Sequence, residues 1–405
     1  MNLHTPGSDA VPSPVAALDP SQPRRVVVAD QELIVFAESP PLIEAMLADI
    51  RAARRRIWVE TYIFFNDSAG EAVAEALKER ARDGLDVRLL YDALGSSATP
   101  SSFFRRLENA GVQVHAFHSL WEALWRLAFF RILNRRDHRK LLIVDDRIGY
   151  FGGMNLANPG YIPGSAPGRR RRRSTGWRDI HIRLNGPRQA ELAESFELSW
   201  RRARHLPLPA RPGSRPQVHL ADDVEGIQFF DCGSGRRRLR AAQVFSAVLR
   251  KTRRSLMLSM AYFLPFGRVL RELLKAHRRG VFIRVVVPGA SDVPLVQSAT
   301  RHLYFQLLRK RFHIFERQRN MLHSKVLVAD QERSIVGSCN LDARSLRINL
   351  EFLAVIRSRP LAAVLADIIR YEVVHSRRIT MTECVQRSGW RRLLDRLAWA
   401  LRWWL

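Results

Sequence analysis

The sequence contains one motif twice, with the same internal spacing in both copies. Residues His138–Asp145 have the sequence HRKLLIVD and residues His323–Asp330 have HSKVLVAD, so both fit the pattern H-x-K-x4-D. In each copy an asparagine in a Gly-rich turn, Asn155 or Asn340, follows the histidine by 17 residues. Matched positions are always 185 residues apart, and this regularity indicates two structurally similar halves.

The segments before each motif repeat the same order of predicted secondary structure. Each half has a strand, a helix closed by a glycine and a second strand, at 57–64, 72–82 and 87–91, then at 256–263, 269–279 and 282–287. Such alternation favours an α/β fold with parallel strand pairs. The predicted organisation is a disordered lead (1–23), a first domain (24–205), a linker (206–220), a second domain (221–385) and an amphipathic C-terminal helix (386–405).

Two facing copies of the motif would bring two histidines, two lysines and two asparagines into one small volume. The apolar run in each motif predicts a strand, on which a histidine and a lysine two residues apart share a face. Such a volume suits a phosphoryl group, because Lys140, Lys325, Asn155 and Asn340 can donate hydrogen bonds to its oxygens. Preorganised donors of this kind usually make the largest contribution to catalysis.

The two histidines would then divide the chemistry. One, neutral, attacks phosphorus to form a phosphohistidine, and the other, protonated, donates to the leaving oxygen and later deprotonates the acceptor. The sequence leaves their order open. Each is expected to be oriented by a carboxylate on its far nitrogen, for which Asp179 and Glu351 are the candidates. Asp145 and Asp330 complete the motif, but their position at strand ends favours a structural role.

Charge and cysteine content limit the ligand less than the motif does. With 66 basic and 39 acidic residues the chain carries +27, which should attract nucleic acid, anionic membrane or phosphate-bearing substrates. Cys232, Cys339 and Cys384 have no CxxC spacing, so we expect neither a disulfide framework nor a zinc site. No run of about 18 uncharged apolar residues occurs, so no membrane-spanning helix is expected.

Three segments are candidates for contact with a membrane. Residues 117–134 and 390–405 combine aromatic and basic residues, and Arg169–Arg173 is a run of five arginines in a Gly/Pro/Ser-rich loop. Tryptophan prefers the membrane interface, and arginine binds lipid phosphates. The alternatives are that both helices pack on the protein and that the loop is solvated. The candidate membrane-binding residues are Trp121, Trp125, Arg171, Trp399, Trp403 and Trp404.

The paired motif resembles the hallmark of the phospholipase D superfamily, and the resemblance covers about residues 26–375. The run GSCNLDARSL from Gly337, followed by Asn349 and Glu351, is similar to bacterial cardiolipin synthases, as are Trp177–Asp179 and Ala261–Pro265. The absence of N-terminal spans looks like the shorter B-type of these enzymes. The resemblance implies two phospholipase D-like domains, each a mixed sheet flanked by helices, with a shared active site at their interface.

The same resemblance implies transfer of a phosphatidyl group without metal or cofactor. The acceptor would be phosphatidylglycerol and the donor a second phosphatidylglycerol or phosphatidylethanolamine, at the cytoplasmic side of a bacterial inner membrane. By analogy His138 is the nucleophile and His323 the acid/base. Ser338 of the second copy has Gly153 as its counterpart, where many relatives have serine; this leaves one hydroxyl fewer in the site.

Three other functions fit parts of the sequence. A phospholipase D-like hydrolase would use the same residues with water as acceptor, because acceptor choice depends on pocket shape and water exclusion. A nuclease of the same superfamily would suit the net charge, but no DNA-reading module is present, the Trp-rich tail suits lipid better, and nucleic acid is not an expected partner. A non-enzymatic membrane scaffold is disfavoured because both motifs are complete.

Overall fold

The computed structural model describes most of the chain, apart from residues at both ends and five internal segments. The described residues are 19–118, 135–158, 177–206, 218–221, 224–233 and 239–403. Trp121, Trp125, Arg171 and Trp404, which the sequence analysis assigned to membrane contact, lie outside these ranges, as do most of the predicted lead and linker.

The first half forms an eight-stranded mixed sheet. Its strands are β1 (Arg24–Val28), β2 (Gln31–Phe36), β3 (Arg56–Thr61), β4 (Asp86–Asp92), β5 (Gln113–Phe117), β6 (Leu141–Val144), β7 (Ile148–Gly152) and β9 (His181–Asn185), in the order β1-β2-β9-β7-β6-β3-β4-β5. Strands β3, β4 and β5 are parallel and the other pairs are antiparallel. The helices are α1 (Ser39–Ala52), α2 (Ser68–Arg82), α3 (Ser101–Asn109) and α4 (Gln189–Ala203).

The second half repeats this arrangement. Its strands are β10 (Gly226–Cys232), β11 (Ser255–Met260), β12 (Phe282–Pro288), β13 (His313–Arg317), β15 (Lys325–Ala329), β16 (Arg333–Gly337), β17 (Glu351–Arg357) and β18 (Ser376–Arg378), in the order β10-β17-β16-β15-β11-β12-β13-β18. Its helices are α5 (Arg240–Lys251), α6 (Gly267–Arg278), α7 (Pro294–Leu308), α8 (Ala343–Arg347), α9 (Arg359–Val374), α10 (Met381–Gln386) and α11 (Gly389–Ala400). Two mixed sheets flanked by helices confirm the predicted fold class.

The two sheets share an apolar core. Helix α4 packs on the first sheet and reaches β10 of the second, while α9 packs on the second sheet and reaches β1 of the first. Phe151 on β7 lies 6.2 Å from Phe352 on β17, measured between ring centroids. Burying apolar side chains from both halves in one cluster stabilises the pair of halves as a unit. This packing fixes the position of one motif relative to the other.

Two sequence predictions need correction. The predicted first helix begins at Ser68 rather than at residue 72, because the Asp67 carboxylate accepts hydrogen bonds from the amides of Ala69 and Gly70 and caps it there. The motif histidines and Lys140 were expected on strands, but β6 begins at Leu141 and β15 at Lys325. The strands begin later because the histidine segments leave their own sheet and pair with the opposite half.

Candidate active site

Each motif histidine is held by backbone contacts to the other half. The amide of His138 donates to the carbonyl of Leu350 at 3.0 Å, and Asp137 forms a parallel bridge with the same residue. The amide of His323 donates to the carbonyl of Arg178 at 2.7 Å. Next to it, the two-residue strands β8 (Trp177–Arg178) and β14 (Met321–Leu322) pair in parallel across the halves. The residues that follow Leu350 and Arg178 are Glu351 and Asp179.

This crossing pairs each histidine with a carboxylate of the opposite half. Nδ1 of His138 lies 3.1 Å from Oε2 of Glu351, and Nδ1 of His323 lies 2.6 Å from Oδ2 of Asp179. All four side chains are nearly inaccessible to solvent. A carboxylate at Nδ1 favours the tautomer with the proton on that nitrogen, which leaves Nε2 free to act as base or nucleophile. The sequence did not indicate which carboxylate serves which histidine.

The motif lysines lie beside the histidines, with different partners. Nζ of Lys140 donates to the carbonyl of His138 at 2.5 Å. Nζ of Lys325 donates to the carbonyl of His323, lies 2.7 Å from that histidine's Nδ1 and is 3.3 Å from Oδ2 of Asp179. The second copy therefore contains a buried Lys–His–Asp cluster, whereas Lys140 of the first copy makes no hydrogen bond to a carboxylate of the described residues.

Burial sets the protonation states of this cluster. It lowers the pKa of His138 from its ordinary 6.5 to about 4 and also lowers that of His323, with Lys140 and Lys325 as the next causes. Burial lowers the pKa of Lys140 to about 7. Among the protein groups alone both histidines are therefore neutral near pH 7. The negative charge of a bound phosphodiester would raise both histidine pKa values and favour the protonated acid.

The carboxylates stay ionised. Burial raises the pKa of each, but Lys325 and the His323 hydrogen bond outweigh it for Asp179, whose pKa is lowered. His138 has the same effect on Glu351, and its pKa is lowered too. An ionised carboxylate at Nδ1 stabilises the imidazolium that forms when Nε2 takes up a proton.

The turn residues after each motif also lie in the buried centre. Asn155 and Asn340 are 7% and 2% exposed, and the Oδ1 atom of each has no hydrogen-bond partner among the described residues. The Ser338 hydroxyl donates to Oε2 of Glu351 and accepts from the amide of Phe352 at 3.1 Å. A Cβ atom added at Gly153 would lie 2.2 Å from Oδ1 of Asp179, so no serine fits there without moving that carboxylate.

The motif aspartates lie at the other end of their strands. Asp145 has a positive φ of 51° and its carboxylate accepts hydrogen bonds from the amides of Arg54, Arg55 and Arg56. Asp330, with φ 54°, accepts from the amides of Arg253, Arg254 and Ser255. Each aspartate follows its histidine by seven residues, which in an extended chain spans about 20 Å. The structure does not bring Asp145 and Asp330 to the histidines, and these contacts fit the structural interpretation.

Four residues that the sequence analysis did not select also surround the site. The rings of Tyr62 and Trp177 lie 5.0 Å from His138 and 4.7 Å from His323, respectively. His181 is 1% exposed, and neither of its ring nitrogens has a hydrogen-bond partner in the described part of the chain. The signal available in the sequence was its position two residues after Asp179, which in an extended segment would put both side chains on one side.

Arg139 is the fourth of these residues and lies between the motif residues His138 and Lys140 in sequence. It is completely buried, with Nη2 at 2.7 Å from Oδ1 of Asp231 on β10 and Nη1 at 3.6 Å from Glu60 on β3. A charged side chain that is completely buried must find a buried partner. Arg139 finds that partner in the other half, so it ties the first motif to the second sheet.

The C-terminal helix α11 packs against α7 and presents a mixed surface. Trp399, predicted to bind membrane, is partly buried and stacks on His302 of α7 with ring centroids 5.7 Å apart. Trp399 lies on the same helix face as the buried Asp395, which fits the alternative that the helix packs on the protein; its contact with a membrane stays a prediction. Trp403 is 45% exposed. The exposed apolar residues of this segment are Trp390, Leu393, Leu394, Leu397, Leu401 and Trp403.

Two features of the described residues bear on the predicted ligands. No described helix is both long and apolar enough to span a bilayer. Within the same residues, no group of three or more His, Cys, Asp or Glu side chains is arranged to hold a metal ion. The positive groups next to the histidines are the two motif lysines.

Sequence comparison matches the chain to one family and to longer relatives. The family described as "Cardiolipin synthase, PLD-like domain" matches residues 46–163 and 245–372. Cardiolipin synthase A of Pseudomonas putida (strain W619) is 31% identical over 379 residues, which cover 92% of this chain and 76% of the relative. The major cardiolipin synthase ClsA of Bacillus subtilis (strain 168) is 30% identical over 371 residues, covering 91% and 74%.

Two solved structures share the fold. Phosphatidylserine synthase of Haemophilus influenzae Rd KW20 aligns with a TM-score of 0.69 and 15% identity, over 95% of this chain and 98% of that one. Polyphosphate kinase of Porphyromonas gingivalis aligns with a TM-score of 0.52 and 13% identity, over 84% and 50%. At these identities the likeness concerns the architecture of the two halves.

Proposed function

The chain belongs to the cardiolipin synthase family with phospholipase D-like domains, and we propose from that premise that it transfers a phosphatidyl group to phosphatidylglycerol through a phosphohistidine. The observation that carries the proposal is the crossed pair of buried His–carboxylate contacts, 3.1 and 2.6 Å long, contributed reciprocally by the two halves. Such a pair supplies one nucleophile and one acid/base to a single phosphorus atom.

In the first step Nε2 of His138 attacks the phosphorus of the donor lipid. The bond from phosphorus to the headgroup oxygen breaks, and His323, protonated, gives its proton to that oxygen, so that glycerol or ethanolamine leaves. Glu351 stabilises the positive charge that develops on His138, because its carboxylate lies at Nδ1. The product of this step is a phosphatidyl group bound to His138. We assign the nucleophile to His138 on the family resemblance.

In the second step a hydroxyl of phosphatidylglycerol attacks the same phosphorus. His323, now neutral, removes the proton of that hydroxyl, and the bond between phosphorus and His138 breaks. The product is cardiolipin, and both histidines return to their starting protonation states. Asp179 at 2.6 Å keeps the His323 ring oriented through both proton transfers.

The lysines and asparagines would stabilise the transition states. Negative charge grows on the non-bridging oxygens as phosphorus becomes five-coordinate, and buried donors interact with such charge more strongly than water does. Lys140, Lys325, Asn155 and Asn340 are all buried around the histidines. Donors from both halves would therefore contact one phosphoryl group.

We also propose that α11 brings the site to the cytoplasmic surface of the bacterial inner membrane. Its apolar residues are exposed on one face, with Trp390 at 67% and Leu397 at 54%. Beyond the helix, the ring centroid of Trp403 lies 5.1 Å from that of Phe266. Phe266 follows Tyr262 by four residues in sequence. An amphipathic segment of this kind lies in the interface between headgroups and acyl chains.

The proposal is tested with purified protein and vesicles of labelled phosphatidylglycerol, with and without phosphatidylethanolamine. Cardiolipin as product supports the transferase, and its dependence on phosphatidylethanolamine identifies the donor. Phosphatidic acid as the main product would instead indicate hydrolysis with water as acceptor. No change in the lipids would contradict both.

A further inference from the structure

A second candidate binding site lies away from the catalytic histidines, between α7, α10 and α11. It is a cavity of about 350 Å³, and none of the residues that line it belongs to the two motifs or their carboxylates. Its floor includes Tyr304 of α7 and Ile379, both buried, and its rim includes Phe305 and Val385, exposed by 43% and 55%. The cavity is thus apolar in part and opens at the surface that carries α11.

The carboxylates in this cavity are all paired with arginines. Glu316 accepts a hydrogen bond from Arg301 at 3.1 Å and lies 3.3 Å from Arg377, which also pairs with Glu383. Asp395 accepts two hydrogen bonds from Arg387, at 2.6 and 3.2 Å. These pairs form the walls and leave no carboxylate to repel an anion.

Two further arginines line the cavity, on α11. Arg392 and Arg396 are one helical turn apart, are exposed, and make no side-chain hydrogen bond or ion pair with any described residue. Like charges at this spacing repel each other and destabilise a helix. Guanidinium groups bind phosphate strongly, so an anion held by both would remove that repulsion.

The position of these arginines around the helix points to the kind of anion. At 100° per residue, Arg392 and Arg396 lie between the face of Asp395, which packs on the protein, and Leu393, which begins the exposed apolar face. A ligand bound there would have its phosphate in the cavity and its apolar part beside Leu393. A free inorganic anion would use only the first of these two features.

We propose that this cavity is an accessory site for the phosphate headgroup of one anionic phospholipid, whose acyl chains stay beside the apolar face of α11. The inference rests on the proposed membrane function and extends it, because the lipid would hold α11 on bilayers that are rich in anionic lipid. The contribution would exceed the general attraction of a basic helix to a negative surface, since a cavity contacts the individual headgroup.

Binding of a soluble lipid tests the site directly. Dihexanoyl phosphatidic acid, below its micelle concentration, has no leaving alcohol and is not a donor, so titration calorimetry can count its sites on the wild-type chain. We expect two, one catalytic and one accessory. The double variant Arg392→Gln/Arg396→Gln should keep one and bind the other at least tenfold more weakly. Arg391→Gln/Arg271→Gln removes the same charge from exposed residues that do not line the cavity, and should keep both.

Further arms separate the possible outcomes. Gln306→Trp fills the cavity without changing its charge and should also remove the accessory site. Loss of the site in this second variant excludes the explanation that the double variant binds weakly only because it is unfolded. Inorganic phosphate should not compete at millimolar concentration; equal competition would reduce the site to a simple anion site and overturn the proposal. Unchanged stoichiometry in both variants would overturn it as well.

The catalytic proposal and the accessory site can fail independently. Turnover in detergent micelles should be the same in the wild type and the double variant, since micelles present substrate without a bilayer to dock on. If no lipid product forms but the two variants still lose one site, only the catalytic proposal fails. If cardiolipin forms and the variants bind as wild type, only the accessory site fails.

Discussion

The two copies of the motif have the same layout but different supports. In both, a histidine crosses to the opposite half, where a buried carboxylate meets Nδ1. In the first copy the carboxylate is Glu351, which also accepts from the Ser338 hydroxyl. In the second it is Asp179, which contacts Lys325 and lies against Gly153. The second half thus provides a glutamate with a serine hydroxyl as partner, and the first half provides the shorter aspartate packed against a glycine.

The two copies share the position of the carboxylate at Nδ1 but differ in the residues that hold it there. The distance from the carboxylate oxygen to Nδ1 of the histidine is 3.1 Å in one copy and 2.6 Å in the other, a difference of only 0.5 Å. The residue that provides the carboxylate, the residue packed next to that carboxylate and its contact with the motif lysine all differ between the copies. The proposed mechanism requires only a negative charge at Nδ1, and the two copies supply it with different side chains. The missing hydroxyl at Gly153 follows from the space that Asp179 occupies.

Removing either histidine is expected to have the largest effect. His138→Ala and His323→Ala should each lower turnover by about 10⁴-fold or more, because nucleophile and acid/base act as a unit. The measurement is cardiolipin formation in vesicles, with circular dichroism to show that each variant is folded. Near-normal turnover in either would refute the two-histidine mechanism.

A donor with a good leaving group breaks the symmetry between the copies. A p-nitrophenyl ester of phosphatidic acid needs little acid catalysis, so His323→Ala should still release nitrophenol in a first turnover and retain labelled lipid on the chain. His138→Ala should do neither. The opposite pattern would exchange the two roles.

The crossed carboxylates should rank second. Glu351→Gln and Asp179→Asn keep the shape but remove the charge at Nδ1, and a change of this kind costs an acid/base histidine about 10³ to 10⁴-fold in kcat. Asp179→Asn should be the more damaging of the two, since that carboxylate also contacts Lys325. Measured kcat values of the two variants test the order; equal losses would indicate that the lysine contact contributes nothing.

The sequence predicted the repeat and the fold for a physical reason. Strand and helix periodicities are local, and the identical spacing of the two motifs required two similar halves. It could not predict that His138 and His323 leave their own sheets, because pairing with Leu350 and Arg178 depends on how the two sheets pack. The crossed assignment of Glu351 and Asp179 was out of reach for the same reason.

Side-chain direction also escaped prediction where two faces of a helix are both apolar. Trp399 and Trp390 are alike in sequence, yet Trp399 stacks on His302 while Trp390 is 67% exposed. Which tryptophan is covered depends on the position of α7, and the sequence of α11 does not indicate that position. Arg139, in contrast, could have been selected, because a charge next to the apolar run of the motif needs a partner if it is buried.

The residue between histidine and lysine offers a third comparison. Arg139 pairs with Asp231 of the other half at 2.7 Å, whereas its counterpart Ser324 shares a hydrogen bond with Ser259 of its own half. Arg139→Met should lower the free energy of unfolding by about 3 kcal/mol, as expected when one partner of a buried ion pair is removed. Ser324→Ala should cost about 1 kcal/mol. Urea unfolding of both variants tests this; equal losses would show that the link between halves is unimportant.

The pH dependence of turnover should depend on the protonation of Lys140. Burial lowers the pKa of Lys140 to about 7, and deprotonation removes a donor for the phosphate. The value of kcat/KM, which reports on the free enzyme, should therefore fall as pH rises through 7, by about tenfold per pH unit. In Lys140→Arg, active at a reduced level, this alkaline limb should move to higher pH because guanidinium stays protonated. An unmoved limb would assign it to another group, with His323, which must be protonated in the first step, as the first candidate.

The motif aspartates should show the smallest effect and no difference between copies. Each carboxylate accepts hydrogen bonds from three successive amides at the start of a central strand, so Asp145→Asn and Asp330→Asn should each lower the free energy of unfolding by about 1 kcal/mol. Turnover of the folded fraction should stay within about twofold of wild type, because neither side chain is near the histidines. Equal stability losses with normal kcat would place both aspartates in the scaffold. A large fall in kcat without a stability change, in either variant, would return that aspartate to the chemistry and break the equivalence of the two copies at the one position where their contacts match most closely.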